Sequence, residues 1–161
     1  MTRLSLAPIE GNAFHKTMGH RPDIVEKWYE LDGVMRFSGL DPELKEEVRR
    51  VVAEDVGCTF CSSFGQSGQA PRDERTALAV AFAQAVSANM GNLREIDDEI
   101  LDVLKQEFSE PEIVELTVWI LFMIAGSAFG ALMKVPPASA EEFETYKKWQ
   151  ADGVAAAKSA A

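Results

Sequence analysis

The chain has 161 residues, with 16 basic and 26 acidic side chains and a formal net charge of −10. That length builds one domain with a sizeable core and needs no disulfide staples. The acidic balance excludes nonspecific nucleic-acid binding, which requires clustered Lys and Arg, and equally excludes docking on an anionic membrane.

Met1 to Pro8 lacks the apolar run of a secretory signal, so a cytoplasmic location is expected. Arg21-Pro22-Asp23 opens a helix on which Ile24, Trp28, Leu31 and Met35 share one face. Asp41-Pro42 starts the next, with Leu44, Val48, Val51 and Val52 as its apolar stripe. Gly57 interrupts it, and Cys58 to Phe64 reads as a short new helix before the breakers Gly65, Gly68 and Pro71. Arg72 to Ala88 is Ala-rich and packs through Leu78, Phe82, Ala85 and Val86.

After a turn at Asn89, Gly91 and Asn92, Ile96, Ile100, Val103 and Leu104 mark an amphipathic helix. Ser109-Glu110-Pro111-Glu112 is a capping box ahead of the long apolar run Leu116 to Met133. That run is long enough to span a bilayer, yet it contains Thr117, Ser127, Gly126 and Gly130 and stands alone. It is expected as a central buried helix that ends before Pro136-Pro137. Ser139 to Glu142 caps a last helix, about 139–152, carrying Phe143, Tyr146 and Trp149, with a frayed tail at 153–161. No strand-like alternation competes, so the expected fold is a single all-α domain over 1–161 with six or seven helices.

The only cysteines form Gly57-Cys58-Thr59-Phe60-Cys61. Residues three apart on a helical turn face the same way, so the sulfurs can meet. A helix beginning near Gly57 would aim free N–H groups at them and favour thiolate. One thiolate can then attack an oxidant and the other resolve it into a disulfide. The plain alternative is a pair of buried small hydrophobes. A zinc site would need two more ligands, and His15 and His20 precede the pair in no usual zinc-finger order. No cofactor or metal is expected.

The run Glu46 to Cys61 resembles the helix and CxxC of the carboxymuconolactone decarboxylase and alkylhydroperoxidase D superfamily. Phe108 to Val118 resembles that family's second signature, at the start of its central helix, and the likeness covers about 22–135. It implies an all-helical fold assembled as trimers or hexamers. It also implies an enzyme that reduces hydroperoxides and is recharged by an external dithiol. By that likeness Cys61 is the peroxidatic thiol, Cys58 the resolving thiol and Glu46 the proton-relay acid.

Two departures stand out. The family's histidine, four residues after the second cysteine, is here Gly65, although dithiol–disulfide exchange needs no such base if the thiol pKa is low. Glu46 lies nearly opposite the stripe of Leu44, Val48, Val51 and Val52, where a solvated carboxylate is as natural as a relay acid in a second interface. Glu47 and Glu54 stand on the flank as substitutes, and Asp55 is placed to cap the following helix.

Phe64, Trp119, Phe122 and Phe129 read as core rather than substrate wall. Glu95, Asp97, Asp98 and Glu99 read as a solvated helix start. No phosphate loop or Ser-His-Asp set is present. Besides the peroxidase, the sequence allows a decarboxylase-like enzyme on the same fold, or a redox-sensing helical assembly without turnover.

Overall fold

A computed structural model of the chain describes residues 1–68 and 72–160; the expected breaker Pro71 lies outside the described residues. Among these residues there are eight α-helices and no strand. They are α1 (Ala13–Met18), α2 (Pro22–Phe37), α3 (Pro42–Val56), α4 (Thr59–Ser62), α5 (Glu74–Ala88), α6 (Asp98–Glu107), α7 (Glu110–Leu132) and α8 (Ala140–Ala160). The seven expected helices are all there. The eighth, α1, starts where the Asn12 side chain accepts from the His15 N–H at 2.8 Å. The last helix does not fray at Gly153 but continues to Ala160, because its Ala-rich end has high helix propensity.

The caps behave as local chemistry demands. Asp41 accepts from the Glu43 N–H, Asp73 from the Thr76 N–H, and Ser109 and Glu112 form the reciprocal capping box. Asp55 caps nothing; it is exposed, and the N-cap of α4 is Cys58.

Two cores result. The larger joins α3, α5, α6 and α7 through Val48, Val52, Phe82, Leu104, Leu116 and Ile120. The smaller gathers Phe14, Met18, Val25, Cys58, Phe60, Phe64 and Val135 around the end of α7. Helix α7 is long and apolar enough to cross a membrane. One side of it forms the packed interior, where Trp119 is fully buried and its Nε1–H donates to the Lys45 carbonyl at 2.9 Å.

Helix α2 follows its apolar stripe only in part. Trp28 and Met35 pack against the cores, but Ile24 and Leu31 are exposed, and the helix buries Val25, Asp32 and Arg36. The elbow between α2 and α3 is fastened by the buried Lys45 ammonium, which donates to the Met35 and Ser38 carbonyls and pairs with Glu115. Those carbonyls lie at the C-terminal end of α2, where a cation is favoured. This elbow fixes where Arg36 points.

Candidate functional site

Cys58 and Cys61 are joined in a disulfide, with Cα atoms 5.2 Å apart. Helix α3 ends at Gly57, Cys58 turns the chain, and Cys61 sits on the single turn of α4. The Cys61 N–H lies 3.1 Å from Cys58 Sγ. The expected N–H donor therefore serves Cys58, the fully buried sulfur, rather than Cys61. Cys61 is half-buried and opens on a cavity of about 650 Å³.

The disulfide rests on α7 at Gly130. A Cβ there would lie 2.6 Å from Cys58 Sγ and 3.5 Å from Cys61 Sγ. Only a residue without a side chain lets α7 come this close to the sulfurs. The CxxC turn is tied down elsewhere by Thr59, whose hydroxyl donates to the Val135 carbonyl, and by Ser63, whose hydroxyl accepts from the Ala138 N–H at 2.9 Å.

Glu46 is buried, which corrects the solvated alternative allowed by the helical wheel. Its carboxylate accepts from Arg49 Nε and Nη2, both at 2.9 Å, from Arg36 Nη1 at 3.2 Å, from the Tyr146 hydroxyl at 2.6 Å and from Gln150 Nε2 at 2.8 Å. Burial alone would raise the Glu46 pKa. The Arg49 and Arg36 charges and the Tyr146 hydrogen bond outweigh it and hold the carboxyl below its ordinary value. Arg49 then reaches the redox turn, with Nη1 donating to the Cys61 carbonyl at 2.8 Å and Nη2 to the Phe64 carbonyl at 3.4 Å. Glu46 thus touches the cysteine turn through Arg49.

The other acids hold loops. Glu47 is buried and accepts from Arg72, from Arg50 and from the Gly68 N–H. Glu54 accepts from the Ser67 N–H and pairs with the Ser67 hydroxyl.

Gly65, where the resemblance leads one to expect a histidine, has φ of +122°, and a Cβ there would meet Arg50 Nε at 3.1 Å. This backbone suits glycine, and the Arg50 guanidinium fills the adjacent space. His15 stacks on Tyr29 with ring centroids 5.0 Å apart, and a His20 ring nitrogen lies 2.7 Å from the Ser5 carbonyl. Neither imidazole lines the cavity.

The cavity walls come from α1, α2, α3, α4, α7 and α8 and the turns beside them, with aromatic rings prominent: Phe14, Trp28, Tyr29, Phe60, Phe64, Tyr146 and Trp149. Phe64 therefore belongs to the wall as well as the core. Trp119 is core, Phe122 stacks on Trp28 and Phe129 packs edge-on against Phe14. Helix α8 supplies the wall that covers Glu46, through Tyr146 and Gln150. Burial pushes the Tyr146 hydroxyl up to about 12, against the pull of Arg49 and Arg36. Tyr29, by contrast, is 37% exposed at the cavity rim.

Sequence reasoning did not single out Gly130, Arg49, Arg36 or Tyr146 as parts of the site. Gly130 carries one legible signal, a glycine inside an apolar helix, where it costs about 1 kcal/mol against Ala unless close packing requires it. Among the described residues, no cluster of three or more His, Cys, Asp and Glu side chains is placed to hold a metal ion. Compared with models of known protein families and with curated proteins, the chain matches none.

Proposed function

We propose that the chain is a thiol-dependent hydroperoxide reductase working through the Cys58–Cys61 couple, on an alkylhydroperoxidase D-like helical fold. One observation carries this reading. The accessible sulfur, Cys61, opens on a largely apolar, ring-lined cleft, while its disulfide partner Cys58 is completely buried behind it. That asymmetry is what an attacking and a resolving thiol require.

In the reduced protein the Cys61 thiolate attacks the outer oxygen of a hydroperoxide. An S–O bond forms, the O–O bond breaks, and the alcohol leaves after taking a proton. The Cys58 thiol then attacks sulfenic Cys61, forming the disulfide and releasing water. A small external dithiol, itself oxidised to a disulfide, restores both thiols by exchange. Glu46 positions Arg49, which in turn holds the carbonyl of the attacking cysteine. Its salt-bridged anionic state favours this positioning role over that of a proton shuttle. A couple that must be re-reduced in each cycle belongs in a reducing compartment, in keeping with the cytoplasm.

Hydroperoxide consumption by reduced protein tests this directly. It should vanish in Cys61→Ser, and the oxidised wild-type protein should carry one intramolecular disulfide. Full activity in Cys61→Ser would reject it.

A second reading is favoured by the outer face of α7. Val114, Val118, Leu121 and Leu132 are exposed there, and Ala125 and Ala128 complete a stripe in alternating steps of four and three. Such a seam suits self-association, as a trimer or hexamer in keeping with the family likeness. Because the disulfide rests on the same helix at Gly130, redox change could be sensed in subunit packing. A size-exclusion shift between reduced and oxidised protein without peroxide turnover would favour this reading over catalysis.

A further inference from the structure

We propose that the cavity beside Cys61 is a binding site for an uncharged small molecule with an aromatic ring system, held whether or not the cysteines react. The proposal rests on the redox reading only in making this molecule the carrier of the group that meets Cys61. Its volume, about 650 Å³, is that of a small-molecule pocket. Trp28 and Tyr29 come from α2, Tyr146 and Trp149 from α8 and Phe64 from the turn after α4, and all line one space. Flat π-systems recognise such walls by stacking.

The charges in the cavity exclude an anion. Arg36 and Arg49 both line it, but their N–H groups are directed at Asp32, Glu46, Tyr146 and the carbonyls of Cys61 and Phe64. Two guanidinium groups facing two carboxylates leave no net positive charge to attract a ligand. Glu141 and Glu142 add negative charge to the wall, on a chain that already carries −10. A sulfonate or carboxylate entering here would lose its hydration without gaining a free cation.

One polar anchor remains. Ser127, on α7, is 4% exposed and lines the cavity, and its hydroxyl makes no hydrogen bond among the described residues. A ligand N–H or carbonyl can pair with it.

Gly33 provides the test. It lines the cavity from the middle of α2, and a Cβ there meets nothing within 4 Å. Gly33→Phe therefore fills the cavity without disturbing the helix. The host is full-length Cys61→Ser, which has no disulfide cycle, so binding and redox chemistry are judged separately. The probes are two fluorescent dyes sharing one ring system: uncharged N-phenylnaphthylamine and anionic anilinonaphthalene sulfonate.

The uncharged dye should bind one per chain, at least about tenfold more tightly than the sulfonate, a gap of about 1.4 kcal/mol. Gly33→Phe should abolish binding, with Ser127→Leu filling the cavity from the opposite wall should Gly33→Phe misfold. Ser127→Ala should weaken binding about fivefold, the loss of one hydrogen bond. Val118→Glu, on the outer face of α7, should leave it unchanged. Equal binding of the two dyes, retention of the uncharged dye in both filled variants, or its loss in Val118→Glu would overturn the proposal. If the dye binds as expected but wild-type protein consumes no hydroperoxide, the redox reading fails alone.

Discussion

Replacing Gly130 and Gly33 each by alanine separates the contact of α7 with the disulfide from ordinary helix propensity. Both glycines lie inside helices, and Gly→Ala in a helix interior gains about 1 kcal/mol. At Gly33 the new methyl group enters open space, so Gly33→Ala should stabilise the fold by about that amount. At Gly130 the same methyl group would sit 2.6 Å from Cys58 Sγ and 3.6 Å from the Phe14 ring. Overpacking of that kind costs about 1–3 kcal/mol. Gly130→Ala should therefore lie between neutral and about 2 kcal/mol destabilised, and about 1–3 kcal/mol below Gly33→Ala.

At about 2–4 °C per kcal/mol for a chain of this size, thermal melts of the oxidised proteins resolve the difference. Combining Gly130→Ala with Cys58→Ala removes the sulfur in the way and should return most of the loss, a coupling readable in a double-mutant cycle. If Gly130→Ala stabilises as much as Gly33→Ala, or Cys58→Ala relieves nothing, α7 does not press on the sulfurs and Gly130 has no part in the site.

Other consequences follow from the charge cluster and the surface. Glu46→Gln leaves Arg36 and Arg49 buried without their shared anion and should lower stability in urea by about 3–5 kcal/mol. The Glu46 pKa is depressed, so its contribution is present above the unfolded carboxyl value of about 4.3 and is lost as pH falls through the folded value. The acid limb of the stability profile should accordingly be shallower in Glu46→Gln, and an unchanged limb would contradict the pairing. Of the chain's 2 tyrosines, Tyr146 is the covered one and is raised to about 12, so ultraviolet titration of the folded protein should leave one tyrosine without phenolate through pH 10. The raised value also means that its contribution to stability is full below about pH 10 and falls as pH climbs towards 12. Ordinary titration of both tyrosines near 10 with the fold intact would place the Tyr146 ring in water. If α7 mediates self-association, Val118→Glu should shift sedimentation towards the monomer while leaving helicity intact.

The elements were largely legible in the sequence because helix starts are local chemistry. Asp41-Pro42 and the Ser109–Glu112 box each satisfy N–H groups within four residues, and the structure uses both. The cysteine spacing was legible for the same reason. What lay hidden depends on what packs against what. Helix α3 is covered on its apolar side by α5 and α7 and on its charged side by α2 and α8, so Glu46 and Arg49 are buried by pairing rather than by hydrophobicity. A face buried by ion pairs leaves no apolar period to detect. On α2 the stripe is split: Trp28 and Met35 pack inward beside Asp32 and Arg36, while Ile24 and Leu31 face out.

Treating fully reduced protein with a small excess of an aromatic hydroperoxide and mapping its peptides by mass spectrometry addresses the central claim. The expected product is a single Cys58–Cys61 disulfide formed in step with one alcohol per chain, and a Cys61 sulfenic acid in Cys58→Ser. Two free thiols surviving in folded protein after the hydroperoxide has been offered would contradict it.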